Sequence, residues 1–151
     1  MNSSNRALYE QVILDHNRNP RNFKEMENPD RQGEGYNALC GDQFTVYLKL
    51  NGDMIEAVTF KGAGCAISKS SASLMTSLLT GKSVKDAEKL FQRFHEMVTS
   101  KPDAPIEEEK VGKLKVFSGV REFPVRIKCA TLPWHTLLAA LDEKEGTVAT
   151  E

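Results

Sequence analysis

Three cysteines and one aspartate are the residues of this chain whose types could bind a metal together. Cys40 and Asp42 flank a glycine, Cys65 follows Gly64, Cys129 follows a lysine, and the sequence contains no further cysteine. Three thiolates and a carboxylate complete the tetrahedral shell that zinc and the iron of iron–sulfur clusters prefer. A carboxylate oxygen holds a thiophilic metal less firmly than a fourth thiolate would. The set therefore predicts a metal site that can exchange a ligand and free a thiolate for chemistry.

The cysteines are separated by 25 and then 64 residues, which matches no zinc-finger spacing, so the fold must bring three segments together. Taken singly, each cysteine could instead be a small core residue, and Asp42 a turn residue. The local sequence favours the metal site. Gly41 allows a turn that aims Cys40 and Asp42 at one point, and Cys65 should open a helix, where the N-terminus favours a thiolate. Cys129 is also expected at or near a helix start.

Charge and the histidines complete the list of candidate site residues. Three thiolates and a carboxylate around a divalent ion sum to −2, so we expect Arg126 and Lys128 to offset that charge. His16 and His95 lie in helical patterns and are interpreted as surface or boundary residues. His135 is a weak candidate ligand.

Composition limits the class of protein. The chain has 151 residues, 40% hydrophobic and 27% charged, with a net charge of −1. These values predict a globular domain over residues 1–141 with a frayed tail over 142–151, and they give no electrostatic footprint for nucleic acid. No apolar run reaches the length of a membrane span, and the start of the chain lacks the apolar core of a signal peptide. With an odd number of cysteines, we expect a reduced, cytoplasmic protein.

Hydrophobic periodicity predicts an antiparallel hairpin between helices. Residues 43–50 alternate apolar and polar side chains, Asn-Gly-Asp supplies a turn, and residues 54–60 form the partner strand, with a third short strand near Tyr36. Helices are predicted on either side, and Ser83 resembles a capping residue. The predicted helices span residues 5–16, 66–80, 84–98, 107–117 and 129–141.

Five segments together resemble the IscU/NifU-N superfamily, and most of all its SufU branch. They are Leu-Tyr-Glu-Gln-Val-Ile-Leu-Asp-His (8–16), Asn-Pro-Arg-Asn (19–22), Cys-Gly-Asp (40–42), Gly-Ala-Gly-Cys-Ala-Ile-Ser-Lys-Ser-Ser-Ala-Ser (62–73) and Phe-Pro-Val-Arg-Ile-Lys-Cys-Ala-Thr-Leu (123–132). The resemblance implies an α+β, SufE/NifU-like fold, in which helices pack on one face of a three-stranded antiparallel sheet and the metal site lies at one exposed end. It implies that Cys40, Asp42, Cys65 and Cys129 are the ligands.

The resemblance also implies a role in iron–sulfur cluster assembly. Lys128 stands where IscU-type scaffolds have histidine, residues 122–126 replace their Leu-Pro-Pro-Val-Lys stretch, and the segment between Cys65 and Cys129 is longer than in IscU. These features are typical of the SufU branch and imply a zinc-dependent sulfurtransferase. Its acceptor would be Cys40, and its donor a pyridoxal-phosphate cysteine desulfurase of the SufS type. That desulfurase would contribute a histidine to zinc. A SufBCD-type complex or an apo-acceptor would be the downstream partner.

Two alternatives stay open. The same four residues could hold a transient [2Fe–2S] cluster or iron on a scaffold, with Asp42 making the cluster transferable. A structural zinc module is the third interpretation, and both Asp42 and the spacing disfavour it. Pro133 replaces the alanine that the family usually has, so the last helix should either begin near Leu132 or kink there.

Overall fold

A computed structural model gives the structure of residues 3–142 and 147–149. Within these residues, the elements follow one another as five α-helices, four strands and one long 3₁₀ helix. Their bounds are α1 Ser3–Arg18, β1 Arg31–Asn37, β2 Asp42–Asn51, β3 Met54–Ala63, α2 Ala66–Leu79, α3 Val84–Thr99, α4 Glu108–Val111, the 3₁₀ helix Gly112–Glu122, α5 Pro124–Leu141 and β4 Thr147–Ala149.

The sheet has the order β3-β2-β1-β4. Strands β1, β2 and β3 pair antiparallel, which confirms the predicted hairpin and the third strand near Tyr36. Alternate residues of β2, Phe44, Val46 and Leu48, are buried against the helices that cover one face, as their spacing predicts.

The segment predicted to fray, 142–151, is a strand over part of its length. Residues 147–149 form β4, which pairs parallel with β1. Without it, one edge of β1 would present unpaired N–H and C=O groups, which readily accept another strand. Of the other residues in that segment, the structure describes only Asp142, where α5 ends.

Close contact between α5 and β1 brings the C-terminal helix onto the sheet. A Cβ added at Gly33 would lie 2.7 Å from the Thr136 carbonyl oxygen, and one at Gly35 would collide with the Thr136 hydroxyl. These two glycines of β1 therefore let the helix lie directly on the strand. The contact fixes the position of Cys129 above the end of β1.

Small polar residues let α2 approach α5 closely. The Ser71 hydroxyl donates to the Ala130 carbonyl oxygen at 2.6 Å and accepts from Trp134 Nε1 at 3.2 Å. The next helix, α3, is capped by Ser83, whose hydroxyl accepts from the Asp86 N–H at 3.1 Å, as its sequence predicts.

Two helix predictions are wrong in their bounds. The segment 107–117 is a four-residue α4 followed by the 3₁₀ helix rather than one short helix. The last helix begins at Pro124, not near Cys129, because proline at the first helical position is preset for helical geometry. It runs through Pro133, so a helix start near Leu132 is also wrong. No helix in residues 3–142 is long and apolar enough to cross a membrane.

Candidate metal site

Asp42 is the centre of the candidate site. It opens β2 and has no exposed surface. Its Oδ1 accepts a hydrogen bond from the backbone N–H of Cys65 at 2.8 Å, and its Oδ2 accepts from Asn37 Nδ2 at 3.3 Å. These two donors compensate for the loss of water around the carboxylate. They also turn its oxygens towards the loop that carries Cys65.

Cys40 and Cys129 meet beside this carboxylate. The Cys129 thiol donates to Cys40 Sγ at 2.9 Å, although the two residues are 89 positions apart in sequence. Cys129 is fully buried, whereas Cys40 is partly exposed. One thiol is therefore fixed inside the protein, and the other lies where an incoming molecule can reach it.

One oxygen of Asp42 and the sulfurs of Cys40 and Cys129 all lie within 4.8 Å of one another. Cys65 is outside that set of three but adjoins it, because its N–H donates to Asp42 and its thiol is close enough to Cys129 to shift the pKa of both groups. The structure therefore brings together all four side chains predicted from sequence, three of them tightly.

Two glycines shape this end of the sheet. Gly41 has φ +69, in the left-handed region that glycine adopts freely, so the chain turns between Cys40 and Asp42 as predicted. A Cβ added at Gly64 would lie 2.7 Å from Asp42 Oδ1 and 2.6 Å from the Ser68 hydroxyl. Any residue larger than glycine at position 64 would therefore displace the Asp42 carboxylate.

The thiols differ in proton affinity. The interaction with the Cys129 thiol lowers the pKa of Cys65 to about 6, although burial and the charge of Asp42 oppose that shift. The same interaction, together with burial, raises the pKa of Cys129. As predicted, Cys65 is the N-cap residue of α2, immediately before its first turn, and its sulfur lies 3.6 Å from the Ser68 hydroxyl. Without metal, these opposite shifts favour deprotonation of Cys65 over deprotonation of Cys129.

A family model described as the NifU-like N terminal domain matches residues 8–130, which include all four of these residues. The chain belongs to this family. Its members among the curated relatives include the zinc-dependent sulfurtransferase SufU of Bacillus subtilis, 40% identical over 93% of both chains. The iron–sulfur cluster assembly scaffold protein IscU of Streptococcus pyogenes is 37% identical, over 89% of this chain and 82% of its own.

A solved structure supports the same fold for this NifU-like domain. A crystal structure described as an iron–sulfur cluster assembly scaffold protein for the SUF system, from Fervidobacterium islandicum, superposes with a TM-score of 0.81. It is 33% identical, and the match covers 89% of this chain and 97% of the other. The α+β fold expected from the resemblance is thereby confirmed. The family's work is iron–sulfur cluster assembly.

The ligand set of this NifU-like domain fits zinc in kind. Zinc binds thiolate at about 2.3 Å and carboxylate oxygen at about 2.0–2.2 Å, so its tetrahedral ligand atoms lie roughly 3.5–3.8 Å apart. The sulfurs of Cys40 and Cys129 are 2.9 Å apart, closer than that, and an Asp42 oxygen lies within 4.8 Å of both. These two sulfurs would have to separate slightly, and the Cys65 sulfur to move towards them, for all four residues to hold zinc.

The structure also shows where Cys129 stands in its helix and how exposed the two predicted charge-balancing cations are. Cys129 is in the second turn of α5, five residues after Pro124, so the prediction that it stands at or near the helix start is wrong. Lys128 is half-buried, and exposed Arg126 lines a groove of about 460 Å³ beside Ala66. That these two cations offset the charge of the site stays a prediction.

The histidines lie away from the four candidate ligands. His16 is buried, with its Nδ1 2.7 Å from the Ser73 hydroxyl, rather than a surface residue. His135 packs edge-on against Phe91, at 5.1 Å between ring centroids. His95 is exposed on α3.

The sequence analysis missed Asn37, which has no exposed surface and contacts two of the candidate ligands. Its Nδ2 lies 3.3 Å from Asp42 Oδ2 and 3.6 Å from Cys129 Sγ. The one feature of the sequence that could have indicated Asn37 is its position, three residues before Cys40 at the end of a strand. An asparagine at such a position is equally typical of a turn.

Proposed function

We propose that this protein accepts persulfide sulfur at Cys40 from a pyridoxal-phosphate cysteine desulfurase and passes it to the iron–sulfur cluster assembly machinery. In this proposal Cys40, Asp42, Cys65 and Cys129 hold zinc. The observation that carries it is the contrast between the two touching thiols, Cys129 buried and Cys40 partly exposed. The likeness to the relative named as a zinc-dependent sulfurtransferase supports it.

Zinc, when bound, would keep the thiolates deprotonated and close together. The chain supplies the rest. Asp42, held by its two hydrogen bonds, offers a hard oxygen ligand that makes the shell easier to open, while the turn at Gly41 leaves Cys40 accessible. Arg126 and Lys128 would offset the net negative charge of the site.

The transfer itself is a thiol–disulfide exchange. The Cys40 thiolate attacks the terminal sulfur of the donor persulfide, a bond forms between Cys40 Sγ and that sulfur, and the donor's S–S bond breaks. The donor leaves as a thiolate, and the proton of its persulfide stays on the transferred sulfur. No outside oxidant or reductant is needed. A SufS-type donor and a SufBCD-type acceptor are the partners that this proposal names.

The direct test is Cys40→Ser, prepared with its zinc content measured against the wild type. After incubation with cysteine desulfurase and cysteine, peptide mass spectrometry should find an added sulfur on wild-type Cys40 and none on the variant, which should no longer stimulate the desulfurase. Added sulfur on Cys65 or Cys129 of the wild type, or full stimulation by zinc-loaded Cys40→Ser, would contradict the proposal.

A scaffold for a labile [2Fe–2S] cluster is the second candidate. Relatives named as scaffolds and the single oxygen of Asp42 among three sulfurs favour it. Anaerobic reconstitution should then yield a cluster that passes intact to an apo-acceptor. If only zinc-loaded protein supports maturation and no cluster is transferred, this candidate is excluded. IscU-type scaffolds have histidine at the position that Lys128 occupies here. The lysine therefore favours the sulfurtransferase.

A further inference from the structure

Asn37 is the one buried amide that contacts both the carboxylate and a thiol of the described site. It ends β1 and stands directly opposite Asp42 in the strand register. Its Nδ2 donates to Asp42 Oδ2 at 3.3 Å and to Cys129 Sγ at 3.6 Å. Asn37 thus links two candidate ligands that come from different elements, β2 and α5.

The orientation of this amide follows from a third hydrogen bond. Asn37 Oδ1 accepts the backbone N–H of Leu39 at 3.2 Å. The opposite orientation would place the amide oxygen against the Asp42 carboxylate, where two acceptors repel, and would lose the bond from Leu39. Both protons of the Nδ2 group are therefore directed at Asp42 and Cys129.

The consequence is an asymmetry among the thiols. An N–H donor to a thiolate stabilises its charge and weakens it as a nucleophile. Cys129 receives such a donor and is fully buried, whereas Cys40 is partly exposed and its sulfur meets Cys129. We propose that Asn37 is a positioning residue that fixes Asp42 and Cys129 as retained ligands, so that Cys40, not Cys129, is the one of these two touching thiols that is released to react.

This inference rests on the proposed function, but its test needs no desulfurase. Asn37→Asp keeps the shape of the side chain and the acceptor for Leu39 while it removes both N–H donors. Asn37→Ser is the milder variant, with a hydroxyl that fits the same space. Ser73→Ala serves as the control, because it removes buried hydrogen bonds to His16 and Arg21, about two turns along α2 from Cys65.

The first measurement is the site of alkylation in zinc-loaded protein, followed by peptide mass spectrometry during iodoacetamide treatment. Wild-type protein and Ser73→Ala should be labelled at Cys40 well before Cys129. In Asn37→Asp the ratio of Cys129 to Cys40 labelling should rise about tenfold, with a smaller rise in Asn37→Ser. Circular dichroism on the same samples shows whether each variant is folded.

The second measurement is metal binding, by chelator competition for Zn²⁺ and by the sulfur-to-metal charge-transfer band of the Co²⁺ form. Outer hydrogen-bond partners of metal ligands typically change affinity 10–100-fold when mutated, and we expect a loss in that range with an altered Co²⁺ band for Asn37→Asp. If Asn37→Asp and Asn37→Ser match Ser73→Ala in both labelling order and Co²⁺ spectrum, Asn37 has no positioning role. Failure of Cys40 to accept sulfur would instead contradict the proposed function and leave these readouts unaffected.

Discussion

A fully buried carboxylate requires hydrogen-bond donors, and Asp42 obtains them from two segments that are distant in sequence. The Cys65 N–H and the Asn37 amide each occupy one of its oxygens. Leaving such a group buried and unpaired would cost several kcal/mol. The carboxylate is therefore held in place by the protein, which prepares one weak ligand beside three sulfurs.

Gly64→Ala should disturb this carboxylate directly. The new Cβ would lie 2.7 Å from Asp42 Oδ1, so the carboxylate must move. We expect zinc affinity, measured by chelator competition, to fall roughly tenfold or more. Gly52→Ala is the control, because its Cβ meets nothing within 4 Å and the strain at its φ of +63 falls in the turn between β2 and β3, at the opposite end of β2 from Asp42. Equal zinc affinity in the two variants would show that the space at Gly64 is not needed by the site.

The lowered pKa of Cys65 predicts its reactivity in reduced, metal-free protein. A thiol with a pKa of about 6 is a thiolate above that pH, whereas an ordinary cysteine becomes one near pH 8.5. Alkylation of Cys65 should therefore rise with a midpoint near pH 6, and Cys129, whose pKa is raised, should stay slow to high pH. Peptide mass spectrometry from pH 5 to 9 checks this. A Cys65 midpoint above pH 8 would contradict it.

At the scale of elements, the pairing of α5 with β1 places the last cysteine. Gly33 and Gly35 allow the helix backbone to approach the strand, and Cys129 projects from the same helix two turns before Thr136. The site depends on this packing because Asp42 and Cys40 belong to the sheet side of the contact. A shift of the helix would separate the two thiols.

Gly35→Ala tests that dependence. Its Cβ would collide with the Thr136 hydroxyl and lie 3.1 Å from Leu132. Overpacking of this kind costs about 1–3 kcal/mol in the free energy of unfolding. Urea denaturation should show that loss, together with weaker zinc binding. Glu34→Ala, at an exposed neighbouring position, should change neither. A free energy of unfolding equal to that of the wild type in Gly35→Ala would mean that α5 can move away from β1 without destabilising the protein.

Local patterns in the sequence account for the elements better than for their junctions. The alternation around Phe44 and the Asn-Gly-Asp turn suffice for the hairpin, because both signals lie within a few residues of one another. The sequence pattern places the start of α5 too late, because the apolar residues at 123 and 125 are exposed and form no apolar stripe along the helix. β4 depends on an edge of β1 more than a hundred residues earlier, which no local pattern can reveal.

The same distinction holds for the site. The three cysteines could be proposed from residue type, since few side chains bind thiophilic metals, and Asp42 from its place beside Cys40 and from the family resemblance. Asn37 could not be predicted, because its contact with Cys129 spans 92 positions in sequence and an amide side chain does not by itself indicate a metal site.

At the scale of the whole molecule, His16 connects α1 to the serine-rich helix α2 behind the site. Ser73 accepts the Arg21 N–H at 2.8 Å, and its own hydroxyl can donate a hydrogen bond to Nδ1 of a neutral His16. Burial, assisted by the charges of Arg21 and Lys113, lowers the pKa of His16. The native protein therefore resists protonation of this ring.

This burial makes stability depend on pH in a defined direction. The unfolded chain protonates His16 near pH 6.5, the folded one only at lower pH, so the contribution is complete above pH 6.5 and is lost as pH falls through that range. His16→Asn should reduce the drop in unfolding free energy between pH 7.5 and 5, measured by urea denaturation of metal-free protein. His95→Asn, at an exposed position, is the control. An unchanged drop in His16→Asn would contradict the prediction.

Convergence of four side chains on one ion is the central claim, and X-ray absorption at the zinc edge measures it most directly. Protein purified without added metal and then loaded with one equivalent of zinc should show three sulfur ligands at about 2.3 Å and one oxygen at about 2.0–2.2 Å. Asp42→Ala should lose the carboxylate oxygen and keep the three sulfurs. Two or fewer sulfur ligands in the wild type would contradict the account, because at least one cysteine would then lie outside the site.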